Sequence, residues 1–599
     1  MAKVILIDSL GWQDGLFNLG LAYVAAGLKA AGHEAEVIDL NNRFRSPSQI
    51  AAAVRDRNPQ YIGFSVKSAT FANAIELHKT LLNVCPNATY IYGGPHVTLG
   101  GESILEETPA AFFFRGEAEF SLAEFLEKHR NGETDFRGIP GILYRDGCGR
   151  VQMSEARYHR SLDDLPLPDF SVFDTFESFK TYPLLTSRGC PYRCTYCSVP
   201  TISGRKWRAR SVESVMLEMD HAINALKMNA AVIVDDNFTL DRGRAESICK
   251  AIIDRGYKLT WSCGNGIRAD RIWPELAQLM FEAGCREVAF GIESWDPEIL
   301  ANLSKGEDRK QIQHGIEIVR AAGMKVTGFF MIGLPGSTYH KDLRSLAVAQ
   351  RLQLDNYYFG LTVPYPGTAL WEWAQKNARF LIPWQNSYHI SEVFRDGLER
   401  IKLDPVFDTP EYPAEQRRKI FQAVQNAKTR NASRSLRKIQ RNLRSAPGRP
   451  MVVIRSSRRD SIFTLLHDLS PGNPRMILWK GNGEFLANMN PGVRKAYQAI
   501  QVPGSGFFGP EDGTEQLRHA LAGCVVAFDV PGGLLEKYQN VLTFARSLRP
   551  RQILALVGDE FLLLNYNESD TASGASHLGD SVVNSVIANT KKCNPKEYQ

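Results

Sequence analysis

Short apolar runs alternate with stretches of helical periodicity over the first 135 residues. An apolar run predicts a buried strand, and apolar residues spaced three or four apart predict a helix that packs on it. Strands are expected at Val4–Ile7, Ala35–Ile38, Tyr61–Ser65, Tyr90–Tyr92 and Ala111–Phe114, and helices at Leu21–Ala31 and Phe71–Val84. This β/α order predicts a parallel sheet covered by helices, whose ligands bind beyond the carboxyl ends of the strands.

The same alternation returns in residues 181–395, after a linker that covers residues 136–180. The linker contains a predicted hairpin, formed by Gly141–Tyr144 and Arg150–Met153. Strands of the second region are expected at Tyr182–Ser187, Ala231–Val234, Thr260–Cys263, Glu287–Gly291, Val326–Ile332 and Asn356–Val363. Six β/α units predict a full or partial β/α barrel, and such barrels place their chemistry on the loops after the strands.

Residues 396–449 predict a basic helical linker, in which the cations from Arg417 onward face almost no acid. A solvated basic helix is the favoured interpretation, and contact with phosphate, an anionic lipid surface or an acidic partner stays open. Residues 450–567 predict a small C-terminal α/β domain of unknown role, and residues 568–599 a polar, partly disordered tail. The strands of the C-terminal domain are expected at Met451–Ile454, Met476–Trp479, Val525–Phe528 and Ile553–Val557.

The composition is that of a globular protein: 599 residues, 44% hydrophobic and 23% charged. A formal charge of only +6, without aromatic residues between the basic ones, argues against a nucleic-acid binder. No apolar run approaches the roughly 20 residues that span a bilayer. The first residues run directly into a predicted strand without a signal peptide, so we expect a cytoplasmic protein with reduced thiols.

Three cysteines carry the strongest chemical signal. Cys190, Cys194 and Cys197 have the spacing C-x3-C-x2-C directly after a predicted strand. Thiolates are the usual ligands of iron–sulfur clusters, and three of them leave one iron of a cubane open to a small molecule. A zinc site is the alternative, but zinc needs four ligands and no second pair lies nearby. The other cysteines lack ligand spacing and predict core positions, with Cys263 as one exception that could face the barrel cavity.

The sequence from Thr186 to Cys197 resembles the cluster motif of the radical S-adenosylmethionine (SAM) superfamily. Further segments that match the family are Val234–Phe238, Gly291–Ser294, Phe330–Gly336 and Pro364–Thr368. The resemblance implies a [4Fe-4S] cluster on the three cysteines, with SAM chelated by the open iron and cleaved to a 5′-deoxyadenosyl radical. It also implies SAM contacts from Tyr196, Asp236, Arg268 and Glu293, with Tyr196 near the adenine and Arg268 and Glu293 near the carboxylate and ribose. Helix caps and salt bridges are the alternative roles.

The N-terminal region resembles the Rossmann-like cobalamin-binding domain that precedes many radical SAM barrels. The residues that carry the resemblance are Gly15–Glu34, Gly63–Ser65, Gly93–His96 and Arg115–Glu119. Glycines at strand ends allow a flat corrin to approach the backbone. The resemblance implies cobalamin contacts from Ser65, Val66, Gly93, Gly94, Pro95, His96, Gly116 and Glu117.

The motif D-x-H-x-x-G, which supplies histidine to cobalt in other cobalamin proteins, is absent from this chain. The resemblance therefore implies a corrin without a protein lower ligand, whose lower face meets residues near Val66 and Lys67. His96 is expected to shape the nucleotide pocket. A flavodoxin-like domain with a degenerate site is the alternative.

The two resemblances together imply a methyltransferase that uses the 5′-deoxyadenosyl radical and methylcobalamin to methylate an unactivated carbon. A cobalamin-dependent cyclase or rearrangement enzyme is one alternative, and a non-enzymatic cobalamin or redox sensor is another. The expected partners are a small-molecule or natural-product substrate and an electron donor such as flavodoxin or ferredoxin. No nucleic acid and no transmembrane segment are expected, whereas peripheral membrane contact stays open. The catalytic acid or base and the substrate are not identified by any motif.

Overall fold

The computed structural model describes residues 1–9, 16–40, 46–384 and 404–427, and the backbone of five strands between residues 451 and 565. Two compact units divide the chain. The first contains residues 1–396 and 400–424, and the second contains most of the remaining C-terminal part. The basic positions predicted between residues 428 and 449 and the predicted tail at 568–599 lie outside the described residues.

The first sheet has seven strands in the order β2-β1-β3-β4-β5-β6-β7. Its strands are β1 (Lys3–Asp8), β2 (Glu34–Asp39), β3 (Tyr61–Ser65), β4 (Thr89–Gly93), β5 (Phe112–Phe114), β6 (Ile142–Arg145) and β7 (Val151–Met153). The first five are parallel, as predicted, and β6 and β7 are antiparallel. The predicted hairpin, assigned to the linker, thus forms the edge of this sheet, because the apolar side chains of Ile142 and Leu143 are buried on it.

Six helices accompany the first sheet among the described residues. They are α1 (Leu19–Ala30), α2 (Pro47–Arg57), α3 (Phe71–Leu82), α4 (Pro95–Gly100), α5 (Ile104–Glu107) and α6 (Ser121–Arg130). Asn18 begins α1: its side chain accepts from the N–H of Leu21 and donates to Asp8 and Ser65. One side chain therefore joins the carboxyl ends of β1 and β3 to the start of the helix between the strands.

The second sheet is parallel and follows chain order, from β8 at one edge to β15 at the other. Its strands are β8 (Tyr182–Leu184), β11 (Ala230–Ile233), β12 (Thr260–Ile267), β13 (Cys285–Glu293), β14 (Lys325–Ile332) and β15 (Asn356–Leu361). All six predicted strands are present. Within the described part of the chain the two edge strands do not pair, so the barrel is partial. The strand predicted to reach Ser187 ends at Leu184, and β9 (Ser187–Arg188) pairs antiparallel with β10 (Arg208–Ala209) instead.

Eight α-helices lie between residues 199 and 377 of the described chain. They are α7 (Val199–Ile202), α8 (Val212–Asp220), α9 (Arg242–Asp254), α10 (Pro274–Glu282), α11 (Pro297–Asn302), α12 (Arg309–Ala321), α13 (Tyr339–Ala349) and α14 (Ala369–Asn377). None of the described helices is long and apolar enough to cross a membrane.

The barrel is extended by a short antiparallel pair, β16 (Arg379–Phe380) with β17 (Phe407–Asp408), and by helix α15 over residues 414–427. The prediction of a solvated basic helix is wrong for Arg417, which is 2% exposed. Its guanidinium lies 4.3 Å from the ring centroid of Phe407 and donates to the carbonyls of Tyr412 and Gly333. The reason is that α15 packs one face against the barrel, and Arg417 lies on that face.

The second unit contains a sheet of five strands in the order β19-β18-β20-β21-β22. They are β18 (Met451–Arg455), β19 (Ile477–Lys480), β20 (Val525–Val530), β21 (Gln552–Val557) and β22 (Glu560–Asn565). The first four are parallel and match the predicted strands. The sequence analysis did not predict β22, which pairs antiparallel with β21 after a connection of only two residues.

Candidate active site and cofactor cavity

Two aspartates that follow β11 anchor the cysteine loop (residues 189–197) and the segment that leads into it. Asp235 accepts hydrogen bonds from the backbone N–H of Thr186 (2.6 Å) and from the hydroxyls of Thr186 (2.5 Å) and Ser187 (2.6 Å). Asp236 accepts from the N–H of Gly189 at 2.8 Å. Burial raises the pKa of Asp236 to about 6. Asp236, which was predicted to contact SAM, thus forms a hydrogen bond with the backbone of the cysteine loop, because its carboxylate faces Gly189.

Gly189 makes the sharp turn that leads into the three cysteines. Its φ of +82° lies in the left-handed region, and a Cβ there would lie 2.5 Å from the carbonyl oxygen of Lys206. Only glycine tolerates both this φ and this close approach without a shift of the backbone. The chain therefore enters the cysteine loop at a fixed point beside residues 204–206.

Cys190, Cys194 and Cys197 are partly buried and carry free thiols. Burial raises the pKa of all three, and that of Cys197 to about 12, with the neighbouring cysteines adding to the effect. Among the described residues no three His, Cys, Asp or Glu side chains converge closely enough to hold a single ion. A cubane suits this set better than zinc does, because each thiolate binds a different iron.

The structure brings Tyr196 and Glu293 together at the barrel mouth. The Tyr196 hydroxyl donates to Glu293 Oε1 at 2.7 Å. Burial, followed by the charge of Glu293, raises the pKa of Tyr196 well above its usual value, so the phenol stays protonated. Glu293 has a φ of +62°, a strained conformation for a non-glycine residue at the end of β13. That conformation turns the carboxylate toward Tyr196.

Lys305 joins this pair, although the sequence analysis did not single it out. Its Nζ lies 3.2 Å from Glu293 Oε1 and 3.1 Å from Glu307 Oε2, and it donates to the carbonyl of Gly291. Burial alone would lower the pKa of Lys305, but the two carboxylates outweigh it and raise the pKa. Lys305 follows α11 in an irregular loop, where no periodicity or motif marks it.

Arg268 lies next to this group but is committed to other partners. Its guanidinium donates to both oxygens of Asp270 (2.8 and 2.9 Å) and to the carbonyl of Lys305 (2.6 Å). It also lies 3.8 Å from the ring centroid of Tyr192, inside the cysteine loop. Asp270 thus balances the charge of Arg268, which was predicted to contact SAM. Arg268 supports the cysteine loop from behind.

A cavity of about 340 Å³ lies at the carboxyl ends of β1, β3, β4 and β5. Six of the predicted cobalamin contacts line it, namely Ser65, Gly93, Gly94, Pro95, Gly116 and Glu117. The opposite wall comes from the barrel and includes Leu185, Arg188, Ile202 and Ser203. No histidine is among the described residues that line the cavity. A wall of glycines and apolar side chains at strand ends fits a large flat macrocycle.

Val66 and His96 do not line the cavity, contrary to the prediction. The backbone of Val66 donates to Gly93 and accepts from His96, so it holds the two strand ends together. His96 is fully buried, with its ring 4.1 Å from Phe71 and 4.8 Å from Trp384. Burial lowers its pKa to about 3, so the ring is neutral. Both side chains pack behind the cavity wall because they point into the core beneath the strand ends.

Glu117 lines the cavity, but its carboxylate is engaged by arginines of the barrel. Arg208 binds both of its oxygens, at 2.8 and 2.9 Å, and Arg188 lies 3.1 Å away. Arg188 also lies 2.7 Å from Glu119, whose other oxygen is 3.1 Å from His159. Glu119 and Arg188 lie in segments that carry the family resemblance but had no predicted role, and no sequence signal marks Arg208 or His159, because the partners of all four lie far away along the chain.

Two family models match the chain in the regions where the fold places the cavity and the cysteine loop. The model described as "B12 binding domain" matches residues 14–126, and the model of the radical SAM superfamily matches residues 184–347. The first match covers β2 to β5 of the first sheet, and the second covers most of the partial barrel.

Several curated proteins are similar in sequence. An uncharacterized methyltransferase of Pyrococcus horikoshii is 30% identical over 385 residues, which cover 63% of this chain and 83% of that protein. The cytidylyl-2-hydroxyethylphosphonate methyltransferase of Streptomyces wedmorensis is 29% identical over 53% of this chain and 69% of its own length. The anaerobic magnesium-protoporphyrin IX monomethyl ester cyclase of Cereibacter sphaeroides is 24% identical over 59% of each chain.

Two solved structures share the fold. TsrM from Kitasatospora setae, a radical SAM methyltransferase, superposes with a TM-score of 0.55 at 19% identity, over 64% of this chain and 79% of its own. OxsB, a cobalamin-dependent SAM radical enzyme, superposes with a TM-score of 0.58 at 18% identity, over 78% of this chain and 70% of its own. The order of a cobalamin-type sheet followed by a partial barrel is thus a known arrangement.

Proposed function

The chain belongs to the radical SAM superfamily, in the group that carries a B12-binding domain, and on that premise we propose that it is a methyltransferase acting on an unactivated carbon. A radical SAM enzyme of this group uses a [4Fe-4S] cluster, SAM and cobalamin, so a sensor without catalytic activity is excluded. The observation that carries the proposal is the shared wall of the cavity. Arg188, Ile202 and Ser203 line it from both sides of the cysteine loop.

Transfer of a methyl group to an unactivated carbon requires both a radical and a methyl carrier, which explains why one chain combines these sites. When bound, the cluster supplies the electron that cleaves SAM, and cobalamin supplies a carrier for the methyl group. Two SAM molecules are consumed: one gives its methyl group and leaves as S-adenosylhomocysteine, and the other becomes methionine and 5′-deoxyadenosine. The hydrogen removed from the substrate carbon ends on 5′-deoxyadenosine, and the methyl group takes its place. Two electrons from an external carrier complete the balance.

The chain's own residues bind and orient in this scheme. The thiols of Cys190, Cys194 and Cys197 would hold the cluster and release their protons on binding. The carboxylate of Glu293, backed by Tyr196 and Lys305, offers an acceptor to the amino or hydroxyl groups of SAM. The glycine-lined cavity would hold cobalamin with its barrel wall toward the cluster.

The similar proteins support methyl transfer and also name the alternative. Two of the three relatives described above are methyltransferases, and one of the two is named for methylation of a phosphonate. The third is a cyclase, so cobalamin-dependent ring formation without methyl transfer is the second candidate. The two reactions differ in one product, because only methyl transfer produces S-adenosylhomocysteine.

The test is anaerobic reconstitution with iron, sulfide and hydroxocobalamin, followed by incubation with deuterated-methyl SAM and fractions of small molecules. Flavodoxin or ferredoxin serves as the electron carrier, and we expect no turnover when both are omitted. Methyl transfer predicts a product that carries the intact CD₃ group, together with S-adenosylhomocysteine and 5′-deoxyadenosine. A cyclase would yield 5′-deoxyadenosine and an unlabelled product, which would refute methyl transfer.

Two cysteine variants control for the cluster. Cys194→Ala should lose both the iron and the 5′-deoxyadenosine. Cys148→Ala should retain both, because Cys148 is an exposed free cysteine on the turn between β6 and β7. Normal iron content in Cys194→Ala would contradict the assignment of the cluster ligands.

A further inference from the structure

We propose that Arg188 is a positioning residue that couples the cobalamin cavity to the cysteine loop. Arg188 lies two residues before Cys190 and is one of the residues that line the cavity. It is therefore part of both sites at once. The proposal depends on the two cofactors and not on whether a methyl group is transferred.

The first step of the argument is the contact between Arg188 and the opposite cavity wall. Its Nη1 lies 3.1 Å from Glu117 Oε1 and 2.7 Å from Glu119 Oε1. Both carboxylates belong to the segment after β5, which also lines the cavity. The same guanidinium lies 5.2 Å from the ring centroid of Tyr23, another lining residue on α1. One arginine thus joins three points of the wall that the first sheet contributes.

The second step is that these carboxylates cannot turn away from Arg188. Arg208, the cross-strand partner of Arg188, binds both oxygens of Glu117. The N–H of His159 donates to Glu117 at 2.6 Å, and the ring of His159 lies 3.1 Å from Glu119. Two guanidinium groups balance two carboxylates in a nearly water-free space. A buried charge that loses its partner is costly, so the set keeps one arrangement.

The third step is the short, stiff connection from Arg188 to the first cysteine. Gly189 alone separates them, its N–H is bound by Asp236, and a Cβ on it would lie 2.5 Å from the carbonyl oxygen of Lys206. The backbone between Arg188 and Cys190 is therefore anchored, so a change in the position of Arg188 is transmitted to Cys190 over one fixed residue. We infer that an occupied cavity and an occupied cysteine loop stabilise the same position of Arg188.

If Arg188 couples the two sites, the bound cluster should change the affinity for cobalamin, and binding measurements alone can test this. Hydroxocobalamin affinity is determined by absorbance titration for the cluster-loaded protein and for the same protein without its cluster. We expect the cluster-loaded wild type to bind about tenfold more tightly, a usual size for coupling between sites. In Arg188→Gln the two affinities should be equal. Coupling of binding free energies is reciprocal, so hydroxocobalamin should also make the wild type retain its cluster longer against a chelator, and the variant should show no such difference.

Matched variants separate coupling from general loss of structure. Arg320→Gln removes an arginine–carboxylate pair with Asp355, on the outside of the barrel, and should keep the wild-type ratio. Arg188→Lys keeps the charge but lacks the planar fork, so it should restore only part of the ratio. If Arg188→Gln does not fold, Glu119→Gln removes one carboxylate charge and should give the same equal affinities.

Two results would overturn the proposal. One is an affinity ratio near one in the wild type, and the other is a wild-type ratio in a folded Arg188→Gln or Glu119→Gln protein. Neither result bears on methyl transfer, which the labelled-product experiment decides. A failure of methyl transfer with intact linkage would leave the coupling role in place.

Discussion

At the scale of single residues, charged side chains around both sites are buried in pairs rather than exposed to water. Glu119 is the clearest example, at 4% exposure. Burial alone would raise its pKa, but the charge of Arg188 and the hydrogen bond from His159 outweigh burial and lower the pKa to about 2. Glu119 therefore stays ionised under all conditions in which the protein is expected to work.

The lowered pKa of Glu119 predicts how stability depends on pH. A carboxylate with a depressed folded-state pKa stabilises the fold fully above its unfolded value, near 4.5, and loses this contribution as the pH falls toward 2. The loss of stability in Glu119→Gln should thus be constant from pH 7 to about 5. Below that it should shrink by about 1.4 kcal/mol per pH unit. Urea unfolding of both proteins at several pH values measures this difference, and a constant difference down to pH 3 would contradict the assignment.

At the scale of elements, the segment after the barrel is part of the site's framework. Trp384, Val406 and Phe407 pack in one apolar cluster with Leu99 of α4 and Val363 at the end of β15. Arg417 of α15 reaches the carbonyl of Gly333, in the loop after β14. These contacts join the helix behind the cavity to the far edge of the barrel.

Two adjacent arginines on α15 allow a matched test of this packing. Arg417 is buried between Phe407 and Tyr412, whereas Arg418 is half-exposed and pairs with Asp404. Arg417→Gln should lower the free energy of unfolding by about 3 kcal/mol, because it leaves buried acceptors without their donor. Arg418→Gln should change it by less than about 0.5 kcal/mol, as is usual at the surface. Equal effects of the two substitutions, measured by urea unfolding, would show that Arg417 does not hold the helix.

At the scale of the whole molecule, the cofactor residues all belong to the first unit. The cysteine loop, the Tyr196–Glu293–Lys305 group and the cavity are built from residues before 385, and the first unit ends at residue 424.

A chain that ends after residue 427 should therefore bind the cluster and cobalamin as the full-length protein does. Iron content, labile sulfide and corrin absorbance after reconstitution provide the comparison. A second truncation, after residue 396, removes β17 and α15 and should lose stability and cofactor content. If the chain that ends after 427 also fails to bind either cofactor, the second unit is needed for the sites.

The strands were predictable because the burial of a strand leaves a pattern of apolar residues in the local sequence. A strand covered on both faces is an apolar run, and nearly all such runs, from Val4–Ile7 to Ile553–Val557, became parallel strands. The cysteine loop was equally visible, because three cysteines with the spacing of the family's cluster motif lie within eight residues. The glycines at the strand ends marked the cavity for the same reason: close backbone approach requires a particular residue type at a particular place.

The pairing of charged residues that are distant along the chain left no such pattern in the sequence, and only the tertiary structure shows which of them meet. Glu117 and Arg208 are 91 residues apart, and Tyr196 and Glu293 are 97 apart, so neither spacing nor periodicity relates them. The sequence determined the elements, the cysteine motif and the cofactor class. The fold decided that His96 packs in the core, that Arg268 and Asp236 support the cysteine loop, and that Arg188 spans both sites. The physical reason is that a buried charge is defined by its neighbours in space, and folding alone brings those neighbours together.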